Sequence, residues 1–185
     1  MRFLQANMNR SKIADGLLDQ LVIEHDIAAV IISEQYRQRD GWYTDTLGTA
    51  EIWIRDRNAL MVEQHGNGDG FVWIRTRQLT IVSCYLTPNN PILEFQRKLD
   101  GMEDFLWSCP GKVLVAGDFN ARAAEWGMPH TKSRGRKIVD MTARLNLIIH
   151  NSGRVPTFRR QGHTGTILDI TMATEAIAPK IATGK

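Results

Sequence analysis

The run Val113–Ala116, VLVA, followed at once by Gly117-Asp118-Phe119-Asn120, constrains this chain more than any other stretch. Four apolar or small residues are too few for a helix and read as a buried strand, and Gly117 lets the backbone turn where the run stops. A strand that ends in a carboxylate and an amide reads as the edge of a site. If extended geometry persists, Asp118 and Asn120 lie two residues apart and project to one side. The alternative is an ordinary Asp-Phe-Asn turn, since Asp and Asn are both turn formers.

Four other segments repeat the design. Arg2–Asn9 (RFLQANMN) brings a short strand to Asn7 and Asn9, expected on one face, and Ile27–Glu34 (IAAVIISE) is an apolar run that stops at Ser33 and Glu34. Leu79–Tyr85 (LTIVSCY) delivers a phenol. Thr166–Met172 (TILDITM) plants Asp169 inside an apolar strand, where an ionised carboxylate needs a partner. Such groups at strand ends are expected to gather at a common edge, because loops beyond strand ends are where sites are built.

Between these strands the pattern predicts a helix with Ser11 as N-cap and Ile13, Leu17, Leu18, Leu21 and Val22 on its sheet-covering face. That makes a parallel β-α-β start. Alternating segments around Ala50–Ile54, Ala59–Glu63, Phe71–Arg75 and Leu79–Tyr85, with His65–Gly70 (HGNGDG) as a turn, predict an antiparallel meander. Trp53 and Trp73 on those strands read as core aromatics. Asn90 as cap and Pro91 at the first position open a second helix through Leu106, and a third from about Arg134 buries Ile138, Met141 and Leu145 before a strand at Leu147–Ile149. Strands alternating with helices around an antiparallel middle imply a mixed α/β sandwich. At 185 residues, one domain spanning 1–185 is expected.

The net charge of +3 hides an asymmetry: residues 1–111 carry −4 and residues 112–185 carry +7. The positive charge clusters in Thr131–Lys137 (TKSRGRK) and at Arg154, Arg159 and Arg160, which points to a polyanionic substrate. No apolar run approaches the roughly 20 residues of a bilayer-spanning helix, and the start lacks a signal-peptide pattern, so no membrane partner or secretion is expected. Cys84 and Cys109 have no metal-ligand spacing and read as structural thiols of a reducing compartment. There is no HExxH, GxSxG, Walker loop or GxGxxG. The remaining chemical class is metal-assisted phosphoester hydrolysis: Asn7, Glu34, Tyr85, Asp118, Asn120 and Asp169 offer hard oxygen donors with few carboxylates, which suits Mg²⁺ better than zinc.

The order Asn7, Glu34 in SEQ, Tyr85 in CYLTP, GDFN and TILD resembles the endonuclease/exonuclease/phosphatase superfamily, with GDFN its most specific signature. QANMNRS, IISEQYR, GDFNARAAEWG, Arg134-Gly135-Arg136 and VPTFRR resemble the endonuclease domain of insect non-long-terminal-repeat retrotransposons. The resemblance spans about residues 2–172. It implies a DNase I-like four-layer α/β sandwich and a nickase of double-stranded DNA that leaves a 3′-hydroxyl for target-primed reverse transcription. By resemblance, Glu34 holds Mg²⁺ (or Mn²⁺) with Asn7 in support, Asp118 is the general base, Asn120 and Tyr85 hold the scissile phosphate, and Asp169 pairs with a histidine. Trp126, Arg134, Arg136, Lys137, Arg159 and Arg160 are the implied DNA contacts, with Trp126 read equally as a loop anchor. A reverse transcriptase on the same polyprotein and a nuclear site of action are also implied.

The sequence departs from the family pattern at Thr166, where Ser is commoner, and in lacking a closing Ser-Asp-His motif; His163 precedes the Asp169 strand. The domain is therefore expected to be incomplete at its C-terminus, with the strand around Thr166–Met172 left as a sheet edge. Two other readings stay open: an abasic-site repair endonuclease of the same fold, and a fragment that binds DNA without cutting it.

Overall fold

The computed structural model describes residues 1–151, 156–158 and 165–180. Within it the chain divides into two compact units, Met1–Tyr85 with Val115–Gly117, and Leu86–Leu114 with Asp118–Lys185.

The first unit opens with β1 (Phe3–Asn7), α1 (Lys12–Glu24) and β2 (Ala29–Ser33), followed by β3 (Trp42–Thr44), β4 (Ala50–Ile54), β5 (Val62–Gly68), β6 (Phe71–Thr76) and β7 (Thr80–Tyr85). β1 and β2 are parallel, from Phe3 opposite Ala29 to Asn7 opposite Ser33, as the β-α-β pattern predicts. The expected meander is divided. β4 pairs antiparallel with β2 and β3, completing a sheet of order β1-β2-β4-β3, whereas β5, β6 and β7 form the meander proper in a second sheet. β2 is buried along its whole length, so it is flanked on both edges rather than left as an edge strand.

α1 starts where Ser11 predicts it, the hydroxyl accepting the Ala14 N–H at 3.3 Å. Its orientation differs from the apolar pattern. Leu18, Val22 and Asp15 are buried, while Ile13, Leu17 and Leu21 face solvent. Asp15 is turned inward to meet Arg37 at 3.1 Å and Arg39 at 2.6 Å, and that rotation carries the Ile13/Leu17/Leu21 stripe outward. Beneath α1 lies a core of Met8, Leu18, Val22, Ile27, Val30 and Ile32, with Trp42 and Trp53 packed against it and stacked at 5.4 Å.

HGNGDG is mostly strand rather than turn: β5 runs to Gly68 and only Asp69-Gly70 turns. Gly66 stands opposite Trp73 and Gly68 opposite Phe71. A Cβ at Gly66 would lie 2.7 Å from the Trp73 ring and one at Gly68 2.2 Å from the Phe71 ring. These glycines are therefore seats for cross-strand aromatics, an arrangement in which the ring covers the glycine backbone.

The second unit contains α2 (Ile92–Trp107), α3 (Ser133–Arg144), β9 (Leu147–Ile149), β10 (Asp169–Thr174) and the ends of β8 (Val113–Asp118). α2 buries Phe95, Leu99, Met102 and Leu106 as its period predicts. Its cap is Pro91, without a side-chain bond, and not Asn90, whose carbonyl is taken by Arg134. Arg144 of α3 grips Glu103 of α2 through two bonds of 2.6 and 2.7 Å. The second sheet has the order β5-β6-β7-β8-β10-β9. β10 is thus an interior strand, correcting the expected edge, and it begins at Asp169 instead of enclosing it. Both sheets are mixed and flanked by helices, the α/β class anticipated from the sequence.

Candidate functional site

Glu34 is the first residue beyond β2 and adopts left-handed backbone, φ 52°. That conformation costs a residue other than glycine about 1–3 kcal/mol and persists only where neighbours hold it. Here its N–H donates to Thr49 O at 2.9 Å and its carbonyl accepts the Arg10 N–H at 2.8 Å. Its side chain is met by Tyr85, whose hydroxyl donates to Glu34 Oε1 at 2.8 Å. The pairing is set by a reciprocal latch between β2 and β7. Ser33 Oγ donates to Cys84 O at 3.2 Å, and Ser83 Oγ donates to Ile32 O at 3.1 Å. Tyr85 and Glu34 each follow a latched residue.

Asn7 closes β1 opposite Ser33, and its Oδ1 accepts the Asn9 N–H at 2.9 Å. Asn9 and Arg10 then turn left-handed, φ 44° and 52°. Asn7 and Asn9 form an Asx turn, so the strand alternation expected to align their side chains has already ended. The Asn7 amide oxygen and the Glu34 carboxylate are hard oxygen donors. Among the described residues no three His, Cys, Asp or Glu cluster to enclose a metal. A sparse oxygen set of this kind fits Mg²⁺, which keeps several waters, and does not fit a zinc cage.

In the second unit, Asp118 repeats the device. Its Oδ1 accepts the Asn120 N–H at 2.8 Å, with Asn120 at φ 46°. The turn reading of Asp-Phe-Asn is the observed one, and it holds a buried Asp118 carboxylate in a fixed orientation. The Phe119 N–H donates to Leu168 O at 3.1 Å, which sets the start of the Asp169 strand beside this turn. Asp169 is placed by two residues that the sequence analysis missed. Asn151 Nδ2 donates to its carbonyl at 2.7 Å, and Thr157 Oγ1 accepts its N–H at 3.3 Å. The Asn151-Ser152 turn signal after β9 was the available cue. Gly117 is required by close approach: a Cβ there would lie 2.0 Å from Cys84 O, and its carbonyl accepts Gln5 Nε2 at 3.1 Å.

The expected DNA contacts separate into distinct groups. Trp126 is 1 % exposed, within the 3-10 turn Ala124–Trp126, so it anchors its loop and presents no ring to a ligand. Arg134 is likewise a clamp. Its guanidinium donates to the carbonyls of Thr87, Pro88 and Asn90 and lies 4.7 Å above the Phe95 ring. Arg136 is exposed and Lys137 half-buried. Arg159 and Arg160, like Arg154 and His163, lie outside the described residues.

A family model described as "Endonuclease-reverse transcriptase" matches residues 79–184. The chain belongs to the endonuclease-reverse transcriptase family. It is similar to the endonuclease domain of TRAS1, a telomere-specific non-LTR retrotransposon: 30% identity, 96% of this chain and 87% of that one covered, TM-score 0.81. It is accordingly a retrotransposon-type endonuclease of the endonuclease/exonuclease/phosphatase superfamily, and a phosphodiester hydrolase. The 3'-5' exonuclease NExo from Neisseria meningitidis (14% identity, 97% and 89% covered, TM-score 0.74) shares the fold. So does an AP endonuclease from Archaeoglobus fulgidus (13% identity, 96% and 87% covered, TM-score 0.67). A comparison with curated proteins gave no match.

Proposed function

We propose that this chain is an Mg²⁺-dependent endonuclease that nicks double-stranded DNA, acting in the nucleus and leaving a 3′-hydroxyl from which a reverse transcriptase of the same polyprotein extends. The observation that carries the reading is Glu34, held in left-handed backbone at the end of β2 with its carboxylate bonded to the Tyr85 hydroxyl. A carboxylate held in left-handed backbone by its neighbours and met by a phenol supports this reading, because such conformations cluster at functional sites. Glu34 and Asn7 would hold the cation, which when bound supplies Lewis-acid stabilisation of the phosphoryl oxygens. Asp118 takes the proton of the attacking water, its orientation set by the Asn120 N–H. Asn120 donates a hydrogen bond to the phosphate as charge develops on it, and Tyr85 joins it once its single O–H turns from Glu34 Oε1 to the substrate. Attack at phosphorus breaks the P–O3′ bond and leaves a 5′-phosphate opposite the 3′-hydroxyl. Arg136, Lys137, Arg159 and Arg160 engage the DNA backbone.

The test is a supercoiled-plasmid assay with Mg²⁺, with chelator, and with intact and abasic substrates. Open-circular product with a 3′-hydroxyl, lost with chelator and reduced about 10²–10⁴-fold by Asp118→Ala, is expected. Salt-sensitive DNA binding with no metal-dependent product would overturn the reading, as would a strong preference for abasic DNA.

A further inference from the structure

The segment that follows Glu34 is held at both ends by buried charge, and one of those charges has no part in the chemistry above. Asp45 is 3 % exposed. Its Oδ1 accepts the N–H of Thr49 at 2.5 Å and of Ala50 at 3.1 Å, and its Oδ2 accepts the Thr49 hydroxyl at 2.9 Å. The same turn is closed through the backbone, Asp45 N–H to Ala50 O at 3.0 Å and Gly48 N–H to Asp45 O at 3.2 Å, with Gly48 in the left-handed region at φ 66°. One buried carboxylate thus accepts three donors of the 45–50 turn, the Thr49 and Ala50 N–H groups and the Thr49 hydroxyl.

Two consecutive residues of the neighbouring segment hang on that turn. The Glu34 N–H donates to Thr49 O at 2.9 Å, and Gln35 Nε2 donates to Gly48 O. The far end of the segment is fixed separately, by Arg37 and Arg39 on Asp15 and by Arg39 on Asp19. Left-handed backbone at Glu34 relaxes unless its amide acceptor is held still, and Thr49 O is that acceptor. We propose that Asp45 is a positioning residue for Glu34: it fixes the Thr49 and Gly48 carbonyls, and through them the backbone conformation that aims the Glu34 carboxylate. The inference rests on Glu34 being a metal ligand. Partners that orient a ligand in this way are worth about 10–100-fold in metal affinity.

The experiment titrates the folded protein with Mn²⁺ alone, following free Mn²⁺ by electron paramagnetic resonance, for wild type, Glu34→Gln, Asp45→Ala and Asp45→Asn. Thermal melting of each variant accompanies it. Asp45→Ala is expected to weaken Mn²⁺ binding about 10–100-fold. Asp45→Asn keeps a side-chain oxygen for the Thr49 and Ala50 amides and is expected to restore binding to within about threefold of wild type. In the nicking assay Asp45→Ala should raise the half-saturating Mg²⁺ concentration while kcat recovers at saturating metal. A purely structural role would lower the melting midpoint and leave the affinity of the folded protein unchanged. Should Asp45→Ala fail to fold, Thr49→Val removes one of the three donors on the carboxylate and is expected to weaken binding about threefold or more. Wild-type affinity in Asp45→Ala, or in Thr49→Val where that variant stands in, overturns the inference alone. A wild type that binds no Mn²⁺, or a Glu34→Gln that binds it unchanged, overturns the metal reading and the inference with it.

Discussion

Asn7 and Asp118 stand in different units yet end their strands the same way, with a side-chain oxygen accepting the amide two residues on and a left-handed residue there. The shared device suits Asn and Asp, whose side-chain oxygen reaches the amide two residues on as a longer side chain does not. Glu51 is the residue at which charge and burial conflict most. It is fully buried in β4 opposite Ile32 and Thr44, and burial first, then the nearby Asp45 and Asp15 carboxylates, outweigh Arg39 and push its carboxyl from 4.5 up to about 8. The folded chain therefore retains this proton at neutral pH while the unfolded chain releases it. The contribution to stability is greatest below about pH 4.5, declines as pH rises, and is lost beyond about pH 8. Glu51→Gln should flatten the pH dependence of the melting midpoint across this window and raise the midpoint at pH 8 by at least about 2–4 °C, the shift that about 1 kcal/mol gives at this chain length. Parallel pH profiles for the two proteins would show that Glu51 is not protonated in the fold.

Elements here are placed by small residues and buried ions as much as by apolar faces. α1 is rotated by Asp15, β5 is kept extended by glycines beneath aromatic rings, and α3 is set by its first turn. A Cβ on Gly135 would lie 2.0 Å from Arg122 O, the same carbonyl that accepts the Lys132 N–H at 2.9 Å. Arg134, one residue earlier, holds the Thr87–Asn90 loop. The Arg-Gly pair thus packs α3 against one loop and ties it to another. Gly135→Ala is expected to cost about 1–3 kcal/mol, the usual range for overpacking, read from chemical denaturation. An unchanged midpoint would show that α3 can slide away from Arg122 without penalty.

For the molecule as a whole, the positive charge of residues 112–185 is divided between structural and free groups. Arg134 and Arg144 are committed to protein acceptors, whereas Arg136 is exposed. Removing a phosphate contact lowers the slope of log affinity against log salt by about 0.9. Arg136→Ala should therefore weaken DNA binding across all sequences and flatten that slope by about 1. Arg134→Ala should act on the melting midpoint in place of the slope. A slope unchanged by Arg136→Ala would remove that residue from the DNA surface.

The strand ends and the oxygen-bearing groups they carry were legible in the chain alone. A short apolar run stopped by Ser-Glu, Cys-Tyr or Gly-Asp-Phe-Asn leaves few alternatives, because period and turn chemistry are local properties. Mg²⁺ as the metal followed from donor type in the same way, as an expectation that the metal-binding test will settle. Sheet membership was not local: β4 is as apolar as the strands of the meander, and only the need of buried β2 for a second neighbour drew it away. Tertiary structure also decided which face of α1 is inward, since Asp15 is pulled under by arginines 22 and 24 residues on. It decided that Arg134 serves carbonyls 44 to 47 residues away. Such pairings are set by which groups must be desolvated together, and no window of sequence contains both partners.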